Sequence, residues 1–360
     1  MRLFQNSGLA RSYRPYLAGL TRGKMGFEAL RDTFIEDRFG ASHMLMPVLD
    51  RAPEAFFTNG DDEDLQLAWA GEHGLKRETS LEDILLAQIE EHRTEVFYNL
   101  DPIRYPSHFL KRLPGSVRRR LCWRAAPSGS VDYGDYDLIL NNFPSILEGY
   151  KKAGWKGAYF FPAHDPEFAP YAANENRPVD VIFVGGYSQY HATRSAVLEI
   201  VAEQAGRLNI VYYLDRSRMT ALAETPLGWV GPLAKHRRPR VIRKVSRPPV
   251  FGRAFYEALS KARIVINGAV DMAGADRGNM RCFEAMGART CVVSDAGNYP
   301  EGMVDGKTAR FYDTPQDAAR VVRNLIETGA DRAIAAAGHD MVRSVYSKER
   351  QWVRFQELAS

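Results

Sequence analysis

The 360-residue sequence lacks the marks of a disulfide-linked, exported or membrane-spanning protein. Its three cysteines, Cys122, Cys282 and Cys291, are an odd number and form no C-x-x-C pair, which argues against a disulfide framework or a zinc site. Residues 1–8 contain no apolar core of a signal peptide, and no stretch approaches the roughly 18–20 apolar residues of a membrane-spanning helix. We therefore expect a protein of the cytoplasm.

The sequence also has little excess of one charge over the other, because the formal net charge is only +4. The basic residues nevertheless crowd the segment 235–247, which could touch anionic headgroups at the inner face of a membrane or form a solvated loop. Aromatic residues do not alternate with these charges as they do in nucleic-acid grooves, so we expect no nucleic-acid partner. The basic residues of this segment are Lys235, Arg237, Arg238, Arg240, Arg243, Lys244 and Arg247.

Short apolar runs alternate with longer amphipathic stretches, which is typical of parallel α/β sheets. A segment rich in proline and asparagine near residue 170 indicates a linker between two α/β halves that face each other across a cleft. We predict domains over 1–170 and 171–340, followed by a C-terminal helix over 341–360 that could pack back on the first domain. The predicted strands are 2–5, 44–48, 95–98, 119–124, 138–140, 179–186, 208–213, 263–267 and 290–294, with a helix over 79–92.

The most informative stretch is the Gly-rich loop 271–279, which follows a strand and leads into a helix that begins near Asn279. Ligands of α/β sheets bind where such loops leave the carboxyl ends of strands. The N–H groups at the helix start, around Asn279 and Met280, can hold a diphosphate without a metal ion, and Gly278 permits close approach to the backbone. Arg281 could clamp a phosphate through its forked donors or pair with a nearby acid.

Two carboxylates flank this helix start. Glu284 lies one turn into the helix between apolar neighbours, where it suits the two hydroxyls of a ribose, although a solvated surface position is the ordinary alternative. Asp276 lies in the loop, where it could meet the hydroxyls of a transferred sugar or cap the turn.

The spacing of these acids resembles a known signature. Asp276 and Glu284, with seven residues between them, resemble the E-x7-E element of retaining GT-B glycosyltransferases. Residues 278–285, GNMRCFEA, resemble the N-x-R-x-F-E-A signature of the CgeB-like (spore-maturation-protein-like) glycosyltransferases, and the segments 249–252, 256–259 and 263–267 resemble what precedes it.

This resemblance implies a GT-B fold with two Rossmann-like domains, a nucleotide-diphosphate sugar bound by the second domain, and no cofactor or essential metal ion. It places Glu284 on the ribose and the 278–281 turn at the diphosphate. It also implies that the first loop of the second domain, with Gly185 and Gly186, and a nearby basic residue, Arg194, face the phosphates, although Arg194 could equally be a solvated helix residue. Asp276 is shorter than the glutamate of the signature.

The acceptor side is expected at strand ends of the first half, and the candidates there are Gly8, Asp101 and Arg124. Asp101 precedes Pro102 and could cap a turn instead. The expected activity is transfer of a glycosyl group with retention of anomeric configuration, with Asp276, Arg194 and Arg281 as the catalytic candidates. A nucleotide-sugar epimerase of the same fold and a non-catalytic nucleotide- or sugar-binding protein remain the alternatives. The sequence indicates neither the acceptor nor the oligomeric state.

Overall fold

The structure is a computed structural model that describes residues 1–187, 192–229, 231–268 and 272–360. For Leu227 and Trp229 it describes the backbone but not the side chain. Asp271, the first residue of the Gly-rich loop, and His191, which follows Gly185 and Gly186 in the sequence, lie outside the described residues. The chain divides into two compact units. The first comprises Met1–Ala163 together with Tyr346–Ser360, and the second comprises His164–Val345.

The first unit is built around a parallel sheet with the strand order β2-β1-β3-β4-β5-β6. The order in which strands are added reverses between β1 and β3, which are parallel and lie side by side in register from Leu3 with Val96 to Asn6 with Asn99. The strands are β1 (Leu3–Ser7), β2 (Ala55–Asn59), β3 (Val96–Asn99), β4 (Arg119–Trp123), β5 (Leu138–Asn141) and β6 (Gly157–Tyr159). The helices are α1 (Arg14–Leu20), α2 (Phe27–Asp37), α3 (Met46–Leu49), α4 (Glu63–Glu72), α5 (Leu81–Glu91), α6 (Ser107–Leu110) and α7 (Pro144–Lys152), with a 3-10 turn at Ala41–His43.

The second unit contains a parallel sheet with the order β12-β11-β10-β7-β8-β9. Read from β9, this is the 3-2-1-4-5-6 order of the Rossmann fold, so the topological switch point lies between β7 and β10. The strands are β7 (Val179–Gly186), β8 (Ile210–Asp215), β9 (Ser246–Arg247), β10 (Ala262–Ile266), β11 (Cys291–Asp295) and β12 (Arg310–Tyr312). The helices are α8 (Ala169–Ala172), α9 (Ala192–Ala202), α10 (Arg218–Ala223), α11 (Arg240–Val245), α12 (Gly252–Ser260), α13 (Met280–Gly287), α14 (Pro315–Thr328) and α15 (Asp331–Val345), with 3-10 turns at Pro166–Phe168, Pro226–Trp229 and Gly231–His236.

Apolar residues at helical spacing cover this second sheet. The side chains of β7, β8, β10 and β11 pack with those of α9, α11, α14 and α15 in one core, in which Val181, Leu198, Ile264 and Val322 are fully buried. Burial of such side chains stabilises the fold by about 1.5–3 kcal/mol each. The core holds the carboxyl ends of the strands rigidly, and these ends carry the candidate site.

The last helix, α16 (Lys348–Ala359), belongs to the first unit. The ammonium group of Lys348 is buried and donates to the backbone oxygens of Ala41 and Met44, each at 2.7 Å. Gln351 donates to the oxygens of Ser42 and Phe161. The end of the chain is thus tied to the first unit, whose boundary with the second lies between residues 163 and 164, whereas the sequence predicted 170 and 171.

The predicted strand over 44–48 is wrong. Met44 and Leu45 are the extended caps between a 3-10 turn and the short helix α3, and Met46–Val48 belong to α3, which has Pro47 in its first turn. Proline is favoured at a helix start and cannot donate to a strand ladder, so the apolar run Met44–Val48 packs as a turn and helix. The prediction also missed four strands: β2, which follows at Ala55–Asn59 and pairs with β1, and the short strands β6, β9 and β12.

Candidate nucleotide-sugar site

The candidate donor site lies at the carboxyl edge of the second sheet, on both sides of its switch point. β7 ends at Gly185 and Gly186, and a Cβ atom added at Gly186 would meet nothing within 4 Å among the residues that the structure describes. On the other side of the switch point, β10 ends at Ile266 and is followed by Asn267 and Gly268. The first loop therefore has open space beside its backbone, as a bound phosphate requires.

Arg194 reaches from one side of this switch point to the other. It lies in the first turn of α9, after β7, and its side-chain carbons lie 3.3–3.6 Å from the position of a Cβ atom on Gly268, which follows β10. A residue larger than glycine at position 268 would displace the arginine. The structure therefore brings the predicted Arg194 to the strand ends that the sequence assigned to the phosphates.

Asn267 joins four elements at this edge. Its amide nitrogen donates to the hydroxyl of Ser294 on β11 at 3.1 Å, and its amide oxygen accepts from Asn279 at 3.2 Å. The hydroxyl of Tyr312 on β12 donates to its backbone oxygen at 2.8 Å. Because Asn267 is buried, these bonds position the start of α13 against the ends of β10 and β11. The sequence analysis placed Asn267 only at a strand end, and a lone asparagine there carries no signal of such a role.

The predicted helix start is confirmed. Asn279 is the N-cap of α13, and its side-chain oxygen accepts from the backbone N–H of Arg281 at 3.1 Å. Met280 and Arg281 occupy the first turn, where unpaired N–H groups and the helix dipole favour an anion. The capping side chain satisfies the N–H of Arg281 and the backbone oxygen of Asn279 accepts from Cys282 at 3.0 Å, so the N–H of Met280 is the first-turn donor that an anion would use.

Gly278 lies at the turn before Asn279, where its backbone contacts Pro300. Its φ angle of 91° lies in the region that favours glycine, and an added Cβ would lie 2.4 Å from the Cδ atom of Pro300. Gly278 is buried against this proline, so the close approach that glycine permits is made by Pro300. The glycine fixes the turn that leads into Asn279.

Glu284 is buried, with about 6% of its surface exposed, although glutamates within helices usually face solvent. One carboxylate oxygen accepts from Arg281 at 2.8 Å, and the other accepts from the hydroxyl of Tyr256 on α12 at 3.4 Å. Burial raises the pKa of Glu284 above its usual value, and the Arg281 guanidinium opposes this rise. Each oxygen has a second acceptor position, so the carboxylate retains capacity for ribose hydroxyls.

Aromatic rings of α12 contact the Arg281–Glu284 pair, and a ring of the 3-10 turn Pro166–Phe168 stacks on one of them. The guanidinium of Arg281 lies 4.0 Å from the ring centre of Phe255, and Tyr256 stacks on Phe168 with ring centres 3.5 Å apart. The stacked rings and the cation–π contact hold both members of the pair in place. Both interpretations of Arg281 were open from the sequence, and in the structure it forms the ion pair with Glu284.

Asp276 is also buried, at about 5% exposure, and it faces a neighbouring loop. Its carboxylate accepts from the amide of Asn298 at 3.4 Å, and residues 275–277 pair with Asn298 through two backbone hydrogen bonds of 2.8 Å. Next to it, Arg277 forms an ion pair of 2.5 Å with Asp295 at the end of β11. These contacts fasten the loop 272–279 to the loop that follows β11, and they fit the structural alternative for Asp276.

In the first unit, the switch point between β1 and β3 brings two acceptor-side candidates together. A Cβ atom on Gly8 would lie 2.7 Å from a carboxylate oxygen of Asp101. Burial, and then the nearby Asp61, raise the pKa of Asp101, while Arg104 lowers it. Arg104 contacts Asp101 at 3.3 Å and Asp61 at 3.6 Å. Arg124 follows the next strand, β4, and its backbone oxygen accepts from Asn141 at 2.6 Å.

An open cavity of about 250 Å³ lies near the residues that follow β1 and β2. Leu9, Arg14 and Asp62 line it, together with apolar residues of α1 and the first residues of α4. Arg14 also pairs with Asp61, whose other oxygen accepts from the backbone N–H of Leu9 at 2.9 Å. The sequence analysis named neither Asp61 nor Arg14.

The comparisons with known proteins agree with this architecture. A family model described as glycosyl transferase-like matches residues 214–357, which include the loop, Asn279 and Glu284. No curated protein matches the chain. Among solved structures, HepE from Anabaena in complex with UDP aligns with 99% of this chain and 99% of its own at 11% identity and a TM-score of 0.57. Sucrose-phosphate synthase from Thermosynechococcus elongatus aligns at 10% identity and a TM-score of 0.58, over 99% of this chain and 98% of its own.

A glycosyltransferase from Rickettsia africae gives a similar result, with a TM-score of 0.55 at 10% identity over 99% of this chain and 97% of its own. The chain has the fold of these proteins. It is a GT-B fold, as the sequence predicted, with one six-stranded parallel sheet in each unit. No described helix is long and apolar enough to cross a membrane.

Proposed function

We propose that the protein is a glycosyltransferase that takes a glycosyl group from a nucleoside-diphosphate sugar bound at the carboxyl edge of the second sheet. One observation carries the proposal. Four groups that fit a nucleotide sugar lie on neighbouring elements at the switch point of a Rossmann-ordered sheet. They are the glycine loop Gly185–Gly186, Arg194 between the two strand ends, the helix start capped by Asn279, and the buried Glu284. Each group matches one part of such a donor, and the glycosyl transferase-like match spans the last two.

In this proposal the diphosphate lies between the Gly185–Gly186 loop and the first turn of α13. Arg194 neutralises the charge that develops on the leaving nucleoside diphosphate, and the N–H of Met280 adds to it. These fixed charges perform the task that a metal ion performs in other transferases, so we propose a metal-independent reaction. Arg281, held by Glu284, contributes to the same field from the first turn of the helix.

Glu284 is the proposed ribose ligand. A ribose presents two hydroxyl donors, and a carboxylate with free acceptor positions on both oxygens can receive both. Its burial strengthens these bonds, because competing water is excluded. UDP-glucose is the first donor to test, since the similar HepE has been solved with UDP and with UDP-glucose.

The acceptor is proposed to use the carboxyl edge of the first sheet, near Gly8 and Asp101, with Arg124 at the neighbouring strand end. In the transfer, the bond between the anomeric carbon and the donor phosphate oxygen breaks while the acceptor oxygen bonds to the same carbon. The acceptor proton passes to the departing phosphate, and the configuration is retained, as the spacing of Asp276 and Glu284 suggests. Because Asp276 is engaged with Asn298, we propose that it acts on the sugar by shaping the loop.

Isothermal titration of UDP and UDP-glucose with the full chain tests donor binding, with Glu284→Gln as the variant. We expect Kd to rise on the order of 30-fold, because two hydrogen bonds to a charged group are lost, at about 1.5–3 kcal/mol each before partial compensation by the amide. Glu257→Gln is the matched control, since Glu257 lies on the neighbouring helix with an exposed side chain. Equal affinity of the folded Glu284 variant and the control would overturn the ribose assignment.

Activity is then followed with a panel of acceptors and with water alone, and proton NMR of the product gives the anomeric configuration. Turnover of the donor to an isomer without an acceptor would indicate an epimerase. Tight nucleotide binding with neither transfer nor slow hydrolysis would indicate a binding protein. An inverted anomer would refute retention while leaving the transferase proposal intact.

A further inference from the structure

The most uneven distribution of charge in the molecule lies in residues 216–247 of the second unit, here called the basic segment. It contains nine lysines and arginines and one acid, a net charge of +8. The whole chain carries +4, so the other 328 residues sum to −4. The basic segment is longer than the one expected from sequence, because the structure adds Arg216 and Arg218 of the α10 region to the cluster 235–247.

The only acid of the basic segment, Glu224, forms its ion pair within the segment. Glu224 receives two hydrogen bonds from Arg238, at 2.5 and 3.0 Å, and both side chains are less than a tenth exposed. Arg237 donates to the backbone oxygens of Ala223 and Thr225 at 2.9 and 3.1 Å. These contacts tie residues 237–238 to α10, and Arg216 also pairs with Glu224 at 3.3 Å. Arg218, Lys235, Arg240, Lys244 and Arg247 are exposed.

Apolar side chains are exposed within the same segment. Met219 and Leu222, three positions apart on α10, are 46% and 42% exposed. Residues at this spacing lie on one face of a helix. Between Glu224 and Lys235 the sequence contains no charged residue and reads TPLGWVGPLA. Exposed apolar residues flanked by lysine and arginine are typical of segments that lie in a membrane interface.

We propose that the basic segment docks the protein on the surface of a bilayer that contains anionic phospholipids. The charges supply attraction to the headgroups, and Met219 and Leu222 enter the boundary between headgroups and acyl chains. A nucleic acid offers the same negative charge but gains nothing from the apolar pair, so the two partners are distinguishable. The proposal does not depend on the glycosyltransferase assignment.

The location of the segment gives docking a consequence for the donor site. Asp215 at the end of β8 pairs in register with Gly186 at the end of β7, and the basic segment begins with the next residue. It therefore leaves the sheet at the edge where the nucleotide sugar is proposed to bind. A docked protein holds this edge near the membrane surface.

The test is sedimentation of the full chain with large unilamellar vesicles, made either of phosphatidylcholine alone or with 30% phosphatidylglycerol. We expect binding only to the anionic vesicles, with strong weakening between 50 and 500 mM NaCl because salt screens the attraction. The first variant combines Lys235→Gln, Arg240→Gln and Lys244→Gln. It should bind on the order of 100-fold more weakly, from the contribution of each basic residue near an anionic surface.

The matched control neutralises three exposed basic residues elsewhere in the second unit, Lys307→Gln, Arg323→Gln and Arg332→Gln. It changes the net charge equally and should bind vesicles as the parent protein does. An equal loss of vesicle binding in both triple variants would show that net charge alone determines the binding, and it would overturn the proposal. Absence of vesicle binding at 50 mM NaCl would do the same.

A second pair of variants separates a bilayer from other polyanions. Met219→Ser with Leu222→Ser should weaken vesicle binding about tenfold or more, whereas Met25→Ser with Val353→Ser, at exposed positions of the first unit, should not. Binding to duplex DNA should be weaker than to vesicles and unaffected by the Met219 and Leu222 changes. Equal binding to DNA, or vesicle binding that ignores this apolar pair, would contradict the proposal. Unchanged melting temperatures establish that the variants are folded.

Discussion

The ion pair between Arg281 and Glu284 permits a quantitative prediction about the site. Arg281→Gln leaves the carboxylate of Glu284 buried beside Tyr256, without its cation at 2.8 Å. Removing one member of a buried pair costs about 3–5 kcal/mol, and because a quarter of the Arg281 side chain is exposed we expect about 2 kcal/mol. For a chain of 360 residues, that lowers Tm by roughly 3 °C.

The loss should depend on pH. Burial already raises the pKa of Glu284, and without Arg281 the pKa rises further. Between the unfolded and folded pKa values the folded state binds more protons, so the free energy of unfolding falls as pH rises through this window. Arg281→Gln should therefore be closer to the parent protein in stability at pH 5 than at pH 8.

Thermal unfolding of the two single variants and the double variant, at both pH values, forms the assay. Once Glu284→Gln is also present, the pH-dependent part of the Arg281 effect should disappear, because no buried acid remains. The same series titrated with UDP should show tighter binding by the Arg281 variant as pH rises and Glu284 ionises. A pH-independent loss of stability that persists in the double variant would refute this account of the pair.

Three further predictions address the turn, the phosphate arginine and the C-terminal helix. Gly278→Ala should destabilise the protein by about 2 kcal/mol or more, since the new Cβ would lie 2.4 Å from Pro300 at a positive φ. Denaturant unfolding measures this loss, and Gly186→Ala is the control, because a Cβ there meets no described atom within 4 Å. Arg194→Gln should reduce kcat about 100-fold or more with little change in Tm, and an unaltered kcat would remove it from the leaving-group role. Lys348→Met should lower Tm by several degrees because two backbone oxygens lose their donor, whereas the exposed Lys307→Met should not.

Local sequence was sufficient for the elements that frame the site. The strand Val179–Gly186 and the helix start at Asn279 are where the pattern predicted them, because an apolar run before a double glycine and an asparagine before a helical stretch act through their immediate neighbours. The run Met44–Val48 misled the prediction, since its apolar residues are equally suited to a strand and a short helix until Pro47 is considered. The α/β class followed from the alternation of strands and helices, whereas the GT-B fold followed from the resemblance of residues 276–285 to a known signature.

Contacts of the candidate residues could not be predicted in this way, because each depends on a partner distant in sequence. Asp276 meets Asn298, Gly278 meets Pro300, and Glu284 meets Tyr256 from a different helix. No spacing rule connects these pairs, which form only when two loops or helices meet over the sheet. The sequence could therefore name the residues of the loop without distinguishing those that shape it from those that remain available to a ligand.

This distinction changes how the 276–284 stretch is understood. Asp276 contacts Asn298, Gly278 contacts Pro300, and Asn267 hydrogen-bonds Asn279 at the helix start. Asp276, Gly278 and Asn267 therefore hold the loop and the helix start in place. The groups with remaining capacity for a ligand are the N–H of Met280 and the carboxylate of Glu284. A frame made of buried hydrogen bonds and a proline contact allows little adjustment, so a donor must fit a preformed turn. Preorganised donors of this kind can stabilise a departing diphosphate without reorganisation cost during the reaction.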